Sequence, residues 1–175
     1  SFGGVILDNG LYDWSKNPNT KDFQEKFGKD AFIARLRKNY YRNTGGAMTA
    51  HTAHYQILGL DILELRFERS YQNCMALGEF LSQHAKVKKV NYPGLKSDVG
   101  YELAMKQFNG KPGTVMTFDL ESQAACFAFM NELEIIRRAT NLNDNKSLII
   151  HPFSTIYVEF PEVERKAMGI QPTMM

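Results

Sequence analysis

Four histidines and two cysteines are the side chains of this sequence best suited to hold a metal, act as a base or serve as a nucleophile. His51 and His54 stand one helical turn apart, where two imidazoles on one face could share a zinc ion. A third ligand at recognisable spacing is missing, so a structural or capping role fits them better and no metal is expected. His151 directly precedes Pro152 at the end of an apolar run, where a site residue could sit, although most histidines so placed satisfy backbone groups. Cys74 and Cys126 each lie inside an apolar helical pattern without a partner ligand, and both read as reduced core residues. The glycine pairs Gly3-Gly4 and Gly45-Gly46 lack the spacing of a phosphate loop. No serine occupies a nucleophile elbow. These residues alone point no further than an α/β protein without a self-announcing site.

The elements that must position such residues follow from periodicity. Val5-Ile6-Leu7, ended by Asp8-Asn9-Gly10, reads as a strand of a covered sheet followed by a turn. Residues 11–30 are polar and carry Pro18 and Gly28, so they read as an irregular surface excursion anchored by Trp14 and Phe23. A helix is expected from Ala31 to Tyr41, stopped by the glycines after Thr44. Tyr55, Leu58, Ile62 and Leu65 then recur at helical spacing while Ile57, Leu60 and Phe67 cover a second side, which predicts a largely buried helix. A further stripe of Tyr71, Cys74, Gly78 and Leu81 extends it. Unbroken from Ala53 to Gln83, the helix would span roughly 45 Å and bridge two domains. Beyond it come a strand around Val90-Asn91-Tyr92, a helix over Tyr101 to Phe108 and an alternating strand in Gly113 to Leu120. A helix with Ala125, Phe129 and Leu133 and a last buried strand at Leu148-Ile149-Ile150 complete a small α+β layer.

Bulk properties narrow the partners. With 43% hydrophobic and 23% charged residues in 175, the chain has the composition of an ordinary globular protein. Its 21 basic and 19 acidic residues are interspersed. The short clusters Arg35-Leu36-Arg37-Lys38 and Lys86-Val87-Lys88-Lys89 read as solvated faces, so nucleic acid is not expected as a partner. Nothing approaches the roughly 18 uninterrupted apolar residues of a membrane span, and the first residues lack the order of a secretory signal. No membrane partner and a cytoplasmic location are the expectations. Both ends read as those of a fragment: a glycine pair runs straight into a strand at the start, and Pro172-Thr173-Met174-Met175 stops as though a strand were about to form.

Taken in order, several blocks resemble one family. They are Gly3-Gly4-Val5-Ile6-Leu7-Asp8 with Tyr12-Asp13-Trp14, Phe27-Gly28-Lys29-Asp30-Ala31-Phe32-Ile33-Ala34-Arg35, and Gly59-Leu60-Asp61-Ile62-Leu63-Glu64-Leu65-Arg66-Phe67-Glu68-Arg69. Val90-Asn91-Tyr92-Pro93-Gly94-Leu95 and Lys146-Ser147-Leu148-Ile149-Ile150-His151-Pro152-Phe153-Ser154-Thr155 continue the series. Together they resemble the pyridoxal-phosphate-dependent enzymes of cysteine and methionine metabolism, over nearly the whole chain. Within that family the O-acetylhomoserine sulfhydrylase branch is the nearest, on the strength of the long excursion before Ala31 and of Lys146 with Ile150-His151-Pro152. A methionine γ-lyase or cystathionine-type lyase, or a non-catalytic interaction module, remain the alternatives.

The resemblance implies an α/β fold: the tail of the large cofactor domain of a fold-type I enzyme over residues 1–64, a long bridging helix, and a small α+β C-terminal domain over residues 65–175. It implies pyridoxal 5'-phosphate as cofactor and a small amino-acid substrate, in a homo-oligomer built as a dimer of dimers. The Schiff-base lysine is expected upstream of Ser1, so no catalytic residue is expected within the chain, and the carboxylate-clamping arginine is expected just after Met175. Asn141 corresponds to the residue that helps hold the substrate carboxylate, and Thr155 to a threonine near the substrate, with Ile156 departing from the polar choice beside it. Arg42 corresponds to a basic residue reaching toward the cofactor of the neighbouring subunit.

Overall fold

A computed structural model describes residues 3–175. Ser1 and Phe2, which open the glycine-led segment, lie outside the described residues. The chain divides into two compact units, one ending at Ile62 and the other running from Leu63 to Met175.

In the first unit the expected strand at Val5-Ile6-Leu7 does not form. All three residues are exposed and without a ladder, because a strand needs a neighbour for its backbone groups and no described segment pairs with it. Residues 11–30 are more regular than expected. The Asp13 carboxylate accepts from Ser15 N at 3.1 Å and Ser15 Oγ at 2.6 Å, starting a 3-10 turn over Trp14–Lys16. Thr20, buried just before the next helix, donates its hydroxyl to Trp14 O at 2.7 Å. Helix α1, Lys21–Phe27, follows, then a 3-10 turn at Gly28–Asp30 and α2, Ala31–Arg35. Trp14 stacks on Phe32 with ring centroids 4.5 Å apart, and Ala31 is sealed beneath. These local side-chain hydrogen bonds, invisible to hydrophobic periodicity, order a stretch that contains Pro18 and Gly28. A π-helical turn over Leu36–Tyr41 leads to α3, Arg42–Thr44, which Gly45 ends in the left-handed region at φ 68°.

Helix α4, Ala50–Asp61, starts on the Thr49 hydroxyl, which accepts from Thr52 N at 3.2 Å. Its apolar residues are not buried: Tyr55, Ile57, Leu58 and Leu60 are all exposed. A helix that is apolar on several sides calls for cover, and no described element of its unit provides it. Nor does the helix continue unbroken. Ile62 leaves helical geometry at φ −108°, ψ 6°, and a new helix, α5, runs over Leu63–Gln83.

In the second unit, the predicted stripe of α5 behaves as expected, with Gly78 and Leu81 buried and Tyr71 and Cys74 half-buried. Gly78 packs closely on Tyr92 and Leu95, where an added Cβ would meet both side chains at ordinary contact distance. Strand β1, Lys89–Asn91, leads to α6, Tyr101–Gln107, and then to β2, Thr117–Asp119. The two strands pair antiparallel, Val90 opposite Phe118. Helix α7, Gln123–Asn131, is capped by Ser122, whose hydroxyl accepts from Ala125 N at 3.1 Å. Two-residue strands β3, Arg137–Arg138, and β4, Leu148–Ile149, pair in parallel. Helix α8, Glu162–Ala167, follows. The expected single layer is therefore two separate two-stranded sheets, and β3 was hidden by its charged sequence.

The core joins Leu81, Phe118, Leu120, Cys126, Met130 and Met175. Met175 enters it because residues 173–175 lie along β2: Met175 N donates to Phe118 O at 2.9 Å, Phe118 N to Met175 O at 3.0 Å, and Leu120 N to Thr173 O at 3.0 Å. The apolar ending pairs with β2 through an antiparallel bridge, Met174 opposite Asp119, without becoming a full strand.

Candidate functional site

Two loops leave the same, carboxyl end of the parallel pair. One follows β3 and carries Asn141; the other follows β4 and carries His151 and Thr155. In α/β architectures the crevice outside the carboxyl ends of strands is where ligands bind, so the sheet brings the two predicted substrate residues to one edge. No hydrogen bond between them is formed. Arg42 lies in the first unit, exposed at the start of α3.

The first loop is organised by Asn141 and Asp144. Asn141 Nδ2 donates to Asp144 Oδ2 at 2.8 Å, and Asn141 Oδ1 accepts from Leu142 N at 2.9 Å. Hydrogen bonds from Asn141 and from Lys146 N hold the Asp144 carboxyl below its ordinary range, as a carboxylate. Asn143 takes a left-handed conformation at φ 53°, which asparagine tolerates better than most residues. Thr114 ties the loop down by donating to Asn143 Oδ1 at 2.6 Å. With one Nδ2 proton engaged, Asn141 keeps a second for an acceptor such as a carboxylate. The nearby Asp144 charge opposes such a ligand, a feature the sequence reading missed.

The second loop is a 3-10 turn, Pro152–Ser154, behind which His151 is 1% exposed. Nε2 lies 2.7 Å from Pro172 O and Nδ1 lies 2.7 Å from Ser154 Oγ. A carbonyl can only accept, so Nε2 carries a proton; in the neutral ring Nδ1 then accepts from the Ser154 hydroxyl. Phe127 packs its ring against the imidazole at 4.9 Å between centroids. Arg165 of α8 stacks over Phe153 at 3.8 Å and donates to Phe153 O at 2.5 Å. Thr155 is exposed and donates its only hydroxyl proton to His151 O at 2.8 Å, which leaves it lone pairs to offer. A substrate donor such as an amino group suits it, whereas a carboxylate does not.

Other candidates resolve differently. His51 and His54 are exposed on α4, and among the described residues no group of three histidine, cysteine or acidic side chains is placed to hold a metal. Cys126 is fully buried and donates to Thr173 O at 3.1 Å; burial pushes its thiol and that of half-buried Cys74 above the ordinary range. A shallow cavity of about 570 Å³ is lined by Lys88, Asp119, Glu121, Gln171 and Thr173, none of them a predicted site residue.

The backbone, through its likeness to solved structures, places the chain in the α/β class of fold-type I coenzyme enzymes. A solved O-acetylhomoserine sulfhydrylase from Wolinella succinogenes superposes with a TM-score of 0.75 at 38% identity, over 94% of this chain and 44% of that one. A Campylobacter jejuni structure assigned as an O-acetylhomoserine (thiol)-lyase, containing a pyridoxyl-lysine phosphate, gives a TM-score of 0.75 at 29% identity, over 82% of this chain and 34% of its own. The O-acetyl-L-homoserine sulfhydrylase 1 of Thermus thermophilus is 34% identical over 99% of this chain and 44% of its own length. The chain belongs to the Cys/Met metabolism PLP-dependent enzyme family, whose model matches residues 1–175. It spans less than half the length of the relatives it matches.

Pyridoxal phosphate requires an amine for its aldehyde and donors for its phosphate. Every lysine among the described residues is exposed, whereas the coenzyme aldehyde calls for an amine in a site closed to water, so the described residues by themselves do not fit the aldehyde end. Arg42 is an exposed cation suited to an anionic group.

Proposed function

We propose that the protein acts as a pyridoxal-phosphate-dependent O-acetylhomoserine sulfhydrylase, replacing the acetate of O-acetylhomoserine by sulfide to give homocysteine. The observation that supports it best is the likeness to sulfhydrylases over almost the entire chain, in sequence and in backbone. The coenzyme, when bound, supplies an electron sink for the substrate's α-carbon. In this reading residues 1–64 are the tail of the cofactor domain and residues 65–175 the C-terminal domain. The described residues contribute one wall of the site. Asn141 offers its remaining amide proton to the substrate carboxylate. Thr155 faces the substrate with its lone pairs, and Arg42 approaches the coenzyme or substrate of a neighbouring subunit. The assembly is a homo-oligomer, a dimer of dimers, working in the cytoplasm. Among the described residues no helix is long and apolar enough to cross a membrane.

Expression of the entire coding region is the test. A yellow protein should form homocysteine from O-acetylhomoserine and sulfide. A colourless or inert product rejects the proposal, and release of α-ketobutyrate and thiol from methionine in place of homocysteine formation assigns it to the lyases. Asn141→Ala should raise KM for the amino acid by about one decade, the worth of a charge-assisted hydrogen bond.

A further inference from the structure

The clamp around His151 uses more polar chemistry than packing requires. The ring sits in an apolar setting between Phe127 and Phe153, where a leucine or phenylalanine would fill space without the cost of burying two ring nitrogens. Instead both nitrogens are matched. Nε2–H is bonded to Pro172 O, and Ser154 Oγ–H to Nδ1. The residue's own carbonyl takes the Thr155 hydroxyl. Pro172 continues into Thr173, whose hydroxyl donates to buried Asp119 at 2.9 Å and whose carbonyl accepts from Leu120 N. One side chain thus ties the turn after β4 to the terminal segment paired with β2, two pieces of chain 21 residues apart.

We infer that His151 is a positioning residue: it fixes the Pro152–Thr155 turn against the terminal segment and thereby sets where Thr155 meets the amino-acid substrate. This rests on the sulfhydrylase reading and on Thr155 facing that substrate. His151 itself transfers no proton to substrate, because both ring nitrogens are spent on protein groups and the ring is closed to solvent.

The test compares His151→Leu, His151→Gln and Ser154→Ala in the intact, coenzyme-loaded protein. Glutamine keeps an N–H donor for Pro172 but cannot serve Ser154 in the same pose. Expected are a KM for O-acetylhomoserine raised about tenfold in His151→Leu and about threefold in the other two, with kcat within about twofold and coenzyme absorbance unchanged. An unmoved KM, or a fall in kcat matched by loss of bound coenzyme, overturns the inference. If His151→Leu fails to fold, Ser154→Ala carries the test. Amide exchange measured by mass spectrometry should show faster exchange in 152–157 and 170–175, with α7 unchanged; unchanged exchange in those two segments overturns the clamp. An inert wild-type protein rejects the sulfhydrylase reading, and the exchange measurement then decides the clamp by itself.

Discussion

Burial sets the titration of three side chains in the second unit. Cys126, Cys74 and Tyr92 are each pushed above their ordinary values chiefly by desolvation. The folded state therefore holds its thiol protons more tightly than the unfolded chain, whose thiols ionise near 9.0. Below that pH both states are protonated and the thiols do not affect the balance; as pH rises through it, the unfolded chain ionises first and stability is lost. The urea midpoint should hold between pH 7 and 8 and decline from pH 9 upward, and the Cys74→Ala/Cys126→Ala pair should flatten that decline. An identical slope in the double variant would contradict the assignment. Tyr92, fully buried with its hydroxyl donating to Gly113 O at 2.8 Å, should cost about 1 kcal/mol when changed to Phe, read from the same urea curves. At this scale the sequence was partly legible. Cys126 announces itself by its apolar frame, whereas His151 does not, since nothing in His-Pro-Phe-Ser tells that the serine three residues on and a carbonyl 21 residues away will engage the two ring nitrogens.

Elements whose faces are covered within their own unit were read well. The stripe of α5 is an example: Gly78 and Leu81 meet Tyr92 and the core as periodicity demands. Gly94 completes that contact. A Cβ at this position would collide with the Tyr92 ring and approach Met75 Sδ to 2.7 Å. Gly94→Ala should therefore destabilise the protein by about 1–3 kcal/mol, the usual cost of overpacking, and a thermal melt within 1 °C of wild type would refute the close packing. Elements that depend on partners or on local turn hydrogen bonds were read poorly. Val5-Ile6-Leu7 has strand composition but no described neighbour, and the turn before the helix at Lys21–Phe27 is held by the Asp13–Ser15 and Thr20–Trp14 hydrogen bonds, which periodicity does not register. The charged β3 was missed because two arginines carry no strand signal; only the pairing with Leu148-Ile149 reveals it.

For the whole molecule, the contrast lies between its two units. The second encloses a core; the first leaves the apolar residues of α4 in contact with water, Leu60 at 63% and Tyr55 at 59% exposure. Contiguous apolar surface of that kind favours association and dye binding. The 175-residue chain by itself should therefore bind the dye ANS and sediment as aggregates, and Ile57→Lys with Leu60→Glu should reduce both signals. Equal dye fluorescence with and without the pair of substitutions would show that the bound surface lies elsewhere. Family membership was readable because its motif blocks recur in order across the chain, but the disposition of α4 was not, since periodicity states that a face is apolar and leaves open what covers it.

The pairing of residues 173–175 with β2 also governs when the second unit can be completed. Synthesis runs from the amino end, and Met175 is a core residue whose strand-mates Phe118 and Leu120 were made more than fifty residues earlier. Until the ribosome has extruded Met175, that edge of β2 stays open on the nascent chain, exposed to chaperones and to wrong partners. A chain cut short before Thr173 would lack this pairing and leave that edge open.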